Sequence, residues 1–350
     1  MLLGYSLTPF GHDPDAWTKA RDRRRLGFDA LLDQVAAAEA AGFDFVLLAD
    51  RLGIRPVDDL SSVAVPFEPT LLASALATRA DRIGIVAAAS TAQHEPYNLA
   101  RRFASLDLVS KGRAGWLVVP DGGDSGRGNE YVDVVAALWD SFEDDAFLYD
   151  KVEGRFFDPS KMHVAHHRGA HFSVRGPLNV NRSPQGRPVL AYMLEEGDNA
   201  VAARTGELLL LQADTAQRLA AIAARAIRSV EAAGRRRGDV RLAANIVPVV
   251  AGSAQAPEEG GATPPLAGAR IIGTPEMIAD RLQELATAAD LDGFTILPPT
   301  LEMGERFLTE VVPELGRRGL IGGQPQETLR DRLGLARPVH PAVSGKEVSR

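Results

Sequence analysis

The 350-residue chain contains no cysteine, which excludes disulfides, thiolate metal ligands, iron–sulfur ligation and a cysteine nucleophile together. No apolar run approaches the ~20 residues that a membrane helix needs. The opening stretch MLLGYSLTPFGHD meets Gly, Pro and Asp too early for a signal peptide, so a cytoplasmic protein without a membrane partner is expected. An excess of positive charge is also missing. Lys and Arg total 39 against 46 Asp and Glu, a net charge of −7, so no nucleic-acid partner is expected. No GxGxxG follows the first apolar run, and GxxxxGK[ST], GxSxG and HExxH are absent. Dinucleotide-fingerprint, P-loop, acyl-transfer and zincin chemistry therefore have no motif to rest on.

What is present is alternation. Apolar runs at residues 2–7, 43–50, 82–88, 113–119, 188–193, 207–212, 241–250 and 293–298 read as strands. Several are continuous rather than alternating, as strands buried on both faces must be. Helical patterns fill the intervals, at 27–41, 68–79, 97–109, 129–142, 198–205, 215–233, 275–289 and 302–318. Eight such pairs predict an α/β fold, a (β/α)8 TIM barrel, rather than a doubly wound sheet. The pattern lapses at about 143–187, read as an insertion before strand five. We expect one barrel domain over 1–333 and a Pro-rich C-terminal arm over 334–350, lying on the surface.

Barrel enzymes place their chemistry at the C-terminal ends of the strands. That rule selects Asp50 after strand two, Ser90, Thr91 and His94 after strand three, Asp121 after strand four, Glu195 and Glu196 after strand five, Asp214 after strand six and Thr300 after strand eight. Asp50 is either a hydrogen-bond acceptor for a ligand or a partner of Arg51 or a turn cap. Ser90 and Thr91 either offer hydroxyls to a ring edge or cap the helix that EPYN begins. His94 is either an acid–base group, since imidazole titrates near neutrality, or a structural loop residue. The cluster His163, His166, His167 and His171 lacks regular ligand spacing and has Arg168 inside it, so no metal is expected.

Longer segments carry a resemblance. EPYNLARRFASLDLVSKGRAGW (95–116), FDFVLLADR (43–51), LWDSFEDDA (138–146), HFSVRGPLNVNRSPQGRPV (171–189), IIGTPEMIADRLQE and DGFTILPP resemble the bacterial luciferase-like flavin-dependent monooxygenases. The similar branch is that of the nitrilotriacetate and dibenzothiophene-sulfone monooxygenases. The resemblance covers most of the chain in order. It implies a luciferase-like barrel, a homodimer, reduced FMN delivered by a separate NAD(P)H:flavin reductase, and oxygenation of a small-molecule substrate with O2. It places Asp50, Ser90 and Thr91 among the FMN contacts, while His94 stands where the family's FNEPY has Asn.

Two departures stand out. Leu117 occupies the place of an Asn in the fourth strand, and AYMLEEGDN replaces a QAG-Ser-Gly turn whose amides hold the phosphate. A phosphate favours bare N–H groups at a helix start, whereas Glu195, Glu196 and Asp198 put carboxylates there. At ~4 Å and an effective dielectric of 20, each like-charge pair costs on the order of 4 kcal/mol. The sequence thus predicts a weakened phosphate site, with Arg127 or Arg175 as candidate replacements. It leaves open a barrel that has lost FMN and serves as a binding or partner subunit, and one that uses the deazaflavin F420.

Overall fold

A computed structural model describes residues 1–20, 26–50, 67–120, 125–195, 199–252, 268–322 and 326–343. Eight parallel strands close into a barrel: β1 (Leu2–Ser6), β2 (Phe45–Leu48), β3 (Gly84–Ser90), β4 (Ala114–Val119), β5 (Val189–Leu194), β6 (Leu208–Leu211), β7 (Arg241–Val250) and β8 (Gly293–Ile296). Each pairs with its sequence neighbours, and closure comes from Leu2↔Gly293 through Tyr5↔Ile296. The expected eight-strand barrel is therefore the observed one.

Each strand is followed by a helix or helical run. These are α1 (Phe28–Ala40), α2 (Pro69–Ala77), α3 (Pro96–Val109), α4 (Ser125–Trp139), α5 (Ala200–Thr205), α6 (Ala216–Ala232) and α7 (Pro275–Ala288). The eighth, α8, runs through Leu301–Arg306, a π-helical turn Phe307–Val311 and Val312–Arg317. Their starts follow from side chains. Thr215, Thr274 and Thr300 each accept an N–H from the first turn, and Pro69, Pro96 and Pro275 sit where a missing N–H costs nothing. In α6 the buried residues Leu219, Ile222, Ala223, Ala226 and Val230 fall on one face, which packs on the strands.

Alternate residues line the barrel axis: Phe45 and Leu47, Val86 and Ala88, Leu117, Val189 and Ala191, Leu208 and Leu210, Ala243 and Val247. The floor is supplied from the other end of the sequence. Leu329, Leu333 and Leu335, on and after the short helix Leu329–Arg332, close the same cluster from below. Each such leucine contributes about 1.5–3 kcal/mol by burial. Arg330, 2 % exposed, clamps this floor through Glu207. The segment read as a surface arm from 334 is thus anchored as far as His340, which is buried.

The insertion lies between α4 and β5. It contains two short hairpins, Phe147–Asp150 with Arg155–Phe157 and His167–Arg168 with Ser173–Val174. One element corrects the sequence reading. The interval between the seventh apolar run (241–250) and the helix at 275–289, to which no element was assigned, holds a strand, Ala269–Gly273, paired with the upper half of β7 from Ile246↔Ala269 to Val250↔Gly273. β7 extends beyond its pairing with β8, which ends at Ile246↔Ile296, and this strand covers the remaining edge.

Candidate functional site at the barrel mouth

Ser90 ends β3, and Thr91 continues it far enough to donate its N–H to the Val119 carbonyl of β4 at 3.0 Å. Both side chains are buried. Ser90 Oγ accepts the Ala92 N–H at 3.0 Å, so this hydroxyl braces the turn. Thr91 Oγ1 is different: it is buried and has no hydrogen-bond partner among the described residues. An orphaned buried hydroxyl costs about 1–3 kcal/mol.

The loop that follows is fixed from α4. Arg127 Nη1 donates to the Thr91 carbonyl at 3.0 Å and its guanidinium stacks 5.0 Å from the Phe172 ring centroid. Tyr131 donates its phenol hydrogen to the His94 carbonyl at 2.9 Å. These residues tie the mouth to the insertion, since Phe172 meets Tyr131 edge-on at 5.5 Å.

His94 is half-buried. Burial and the Arg102 guanidinium lower its pKa, opposed by Glu68 and Asp50, so the imidazole is neutral at pH 7. Asp50 and His94, 44 positions apart, are thereby brought into one electrostatic neighbourhood at the ends of β2 and β3. Glu68 is engaged as the α2 cap, accepting the Leu71 N–H at 2.8 Å and the Thr70 hydroxyl at 2.7 Å. Asp50, Ser90, Thr91 and His94 thus lie at this rim.

The opposite rim holds a cavity of about 520 Å³ lined by Phe10, Asp13, Val249, Arg270, Thr300 and Met303. Arg270 pairs with Asp13 at 2.6 Å. Of this wall the strand-end rule selected Thr300 alone, because the other members come from opposite ends of the chain and carry no motif. It also missed Tyr131, whose helical period marks it only as a core residue.

The departures can be placed in part. Leu117 is buried in the inner wall, where it adds apolar surface beside Ala88 and Ala191. Glu195 is exposed at the end of β5 and accepts from Gln212 Nε2 at 3.1 Å; Glu196, Gly197 and Asp198 lie outside the described residues. Arg127 stands beside Thr91, and Arg175 is exposed next to the second hairpin. The histidine cluster disperses: His167 binds Glu130 at 2.9 Å and His163 binds Glu143 at 3.0 Å. His167 and the N–H groups of His171 and Phe172 pull the Glu130 carboxyl down to about 2.

The C-terminal ends of the strands of a (β/α)8 barrel are where the barrel-enzyme class carries its sites. The luciferase-like monooxygenase model matches residues 5–260, and the chain belongs to that family. It is similar to the N-acetyl-S-(2-succino)cysteine monooxygenase of Bacillus subtilis, 34 % identical over 97 % of each chain. It is also similar to nitrilotriacetate monooxygenase component A of Aminobacter aminovorans, 31 % identical over 97 % of each. Among solved structures, the EDTA monooxygenase EmoA of Chelativorans sp. BNC1 superposes with a TM-score of 0.83 at 27 % identity, covering 97 % of this chain and 99 % of that one.

The family implies a flavin, and the described residues fit its ring. Thr91 Oγ1 is a buried group awaiting a polar edge, and the inner wall at Ala88, Leu117 and Ala191 is apolar, as a flat aromatic system requires. No helix among the described residues is long and apolar enough to cross a membrane.

Proposed function

We propose that this chain is the oxygenating component of a two-component system, taking reduced FMN from a separate NAD(P)H:flavin reductase and oxygenating a small organic molecule with O2. The observation that carries the reading is the partnerless Thr91 hydroxyl at the mouth of a barrel of this family. Bound there, reduced flavin would supply the activation of O2. Asp50, Ser90 and Thr91 would hold its ring, and Arg127 fixes the backbone that carries Thr91.

The protein's own contribution is positional and acid–base. His94, neutral at pH 7, accepts or returns a proton near the reacting atoms. The apolar inner wall and the insertion keep water from the ring. The 520 Å³ cavity takes the substrate, a volume suited to a small organic molecule. The same reading makes the protein a cytoplasmic homodimer with a single barrel domain over 1–333.

An anaerobic titration with reduced FMN, oxidised FMN and riboflavin tests this. Micromolar binding of reduced FMN supports it; absence of any flavin binding removes it. A second reading, a barrel that has lost flavin and serves as a binding subunit, is favoured by Glu195 and Leu117 in place of flavin-binding residues, and the same titration decides between the two.

A further inference from the structure

Far along the chain from the mouth residues, the insertion and the C-terminal segment bring together three groups that the sequence keeps apart. Phe142 and Met162 form an antiparallel bridge, reinforced by Glu143 N–H to the Lys161 carbonyl at 3.1 Å and His163 N–H to the Ser141 carbonyl at 2.8 Å. Glu143 and His163 therefore stand on two backbones locked in register, and His163 Nε2 lies 3.0 Å from Glu143 Oε1. His340 arrives from the C-terminal segment and lays its ring 5.0 Å from that of His163, at 37°.

We propose that Glu143, His163 and His340 bind a borderline divalent cation of the Zn2+ or Ni2+ class. One donor atom from each residue lies within 4.8 Å of the other two. Around a tetrahedral ion with bonds of about 2.0–2.1 Å, donors sit roughly 3.3 Å apart. Two imidazoles and one carboxylate, with water completing the shell, suit Zn2+ or Ni2+ rather than Mg2+ or Ca2+.

His340 is also oriented for the task. Its Nε2–H donates to the Asp140 carbonyl at 3.0 Å, the outer hydrogen bond that metal-ligating histidines usually make, so Nδ1 is the atom that would meet the ion. The competing contact at Nδ1, from the Ala342 N–H at 3.2 Å, is longer and neutral. The approach of the tail is set independently. Arg337 grips Asp144 with both nitrogens, and Arg182 holds the Pro338 carbonyl at 2.9 Å.

An ion here would fasten the C-terminal segment to the insertion. The histidine-rich segment alone gives no such site, because His166, His167 and His171 are absent from this group. The missing ligand is His340, 177 positions beyond His163.

The test is calorimetric titration of the chelator-stripped full chain with Zn2+ alone, paired with thermal unfolding. One equivalent bound at micromolar Kd, with a raised Tm, supports the site. So does a loss of at least about tenfold in affinity in His163→Ala and Glu143→Gln but not in His171→Ala. Failure to bind Zn2+, or affinity unchanged in both ligand variants, overturns it. Anomalous scattering from zinc-soaked crystals of the unmodified protein asks the same question without a substitution. An ion between the three side chains supports the proposal, and its absence there refutes it.

Discussion

Arg127 reaches across from α4 to hold the carbonyl of Thr91 at 3.0 Å, while its guanidinium carbon lies 5.0 Å from the Phe172 ring centroid. One side chain thus joins the end of β3, a barrel helix and the insertion. The residue after Ser90 is positioned from outside the strand that carries it.

Thr91→Val separates a ligand contact from a structural one. The hydroxyl has no partner among the described residues, so its removal leaves stability unchanged or raises it by about 1 kcal/mol. Flavin affinity should fall by about five- to tenfold in the same variant. Thermal unfolding and flavin titration read the two effects, and a loss of stability with unaltered flavin binding would reverse the assignment.

The acidic turn predicts a preference among flavins. With Glu195 at the end of β5, riboflavin should bind better relative to FMN than a bare phosphate-binding turn would allow. Glu195→Gln combined with Glu196→Ser should tighten FMN and leave riboflavin alone. Equal effects on both would show that charge at this turn is not what limits the phosphate.

Gly4 is required by packing. A Cβ there would lie 2.2 Å from Cζ of Phe45, a fully buried ring with no room to withdraw. Gly4→Ala should cost about 1–3 kcal/mol in denaturant unfolding. Combining it with Phe45→Leu should recover part of that loss, a coupling that non-contacting residues would not show.

The floor clamp offers a comparison of charge with hydrogen bonding. Arg330 binds Glu207 through two nitrogens at 2.6 and 3.0 Å and also donates to the Gln185 and Arg187 carbonyls, both at 3.2 Å. Arg330→Met strands a carboxylate and several carbonyls, so a loss of about 3–5 kcal/mol is expected. Glu207→Gln keeps an acceptor in place and should cost less. Chemical denaturation ranks the two.

His12 gives the pH dependence a sign. Burial lowers its pKa to about 4, opposed by a hydrogen bond with the backbone of Ser6. The folded value lies below the unfolded one of about 6.5, so the unfolded chain binds the extra proton. The stability present above pH 6.5 is lost as pH falls towards 4. Because the residue is only half-buried, the contribution is roughly 1–2 kcal/mol. His12→Asn should flatten stability over that window relative to the parent, and an identical slope in both proteins would rule the ring out.

The barrel was legible because strands buried on both faces read as unbroken apolar runs, FDFVLLAD and RIGIVAA among them. Asp50, Ser90, Thr91 and His94 could be nominated because strand ends are where barrels keep their chemistry, and the structure puts them at the ends of β2 and β3. Ala269–Gly273 was hidden by the Gly/Pro/Ala-rich stretch before it. Arg127 over Thr91, Asp13 with Arg270 and His163 against His340 were hidden for another reason. Each depends on residues that only the closed barrel brings together, and no local period encodes such a meeting.

Closure has a consequence for synthesis. β1 finds its second neighbour only in β8, and the axis is sealed only by Leu329, Leu333 and Leu335. A growing chain that has reached Val250 therefore carries two bare sheet edges and an apolar lining with no underside. Ribosomes add about 5–20 residues per second, so this state lasts for seconds. The segment Leu329–Leu335, made after every strand of the barrel, is the part that ends its exposure to other nascent chains.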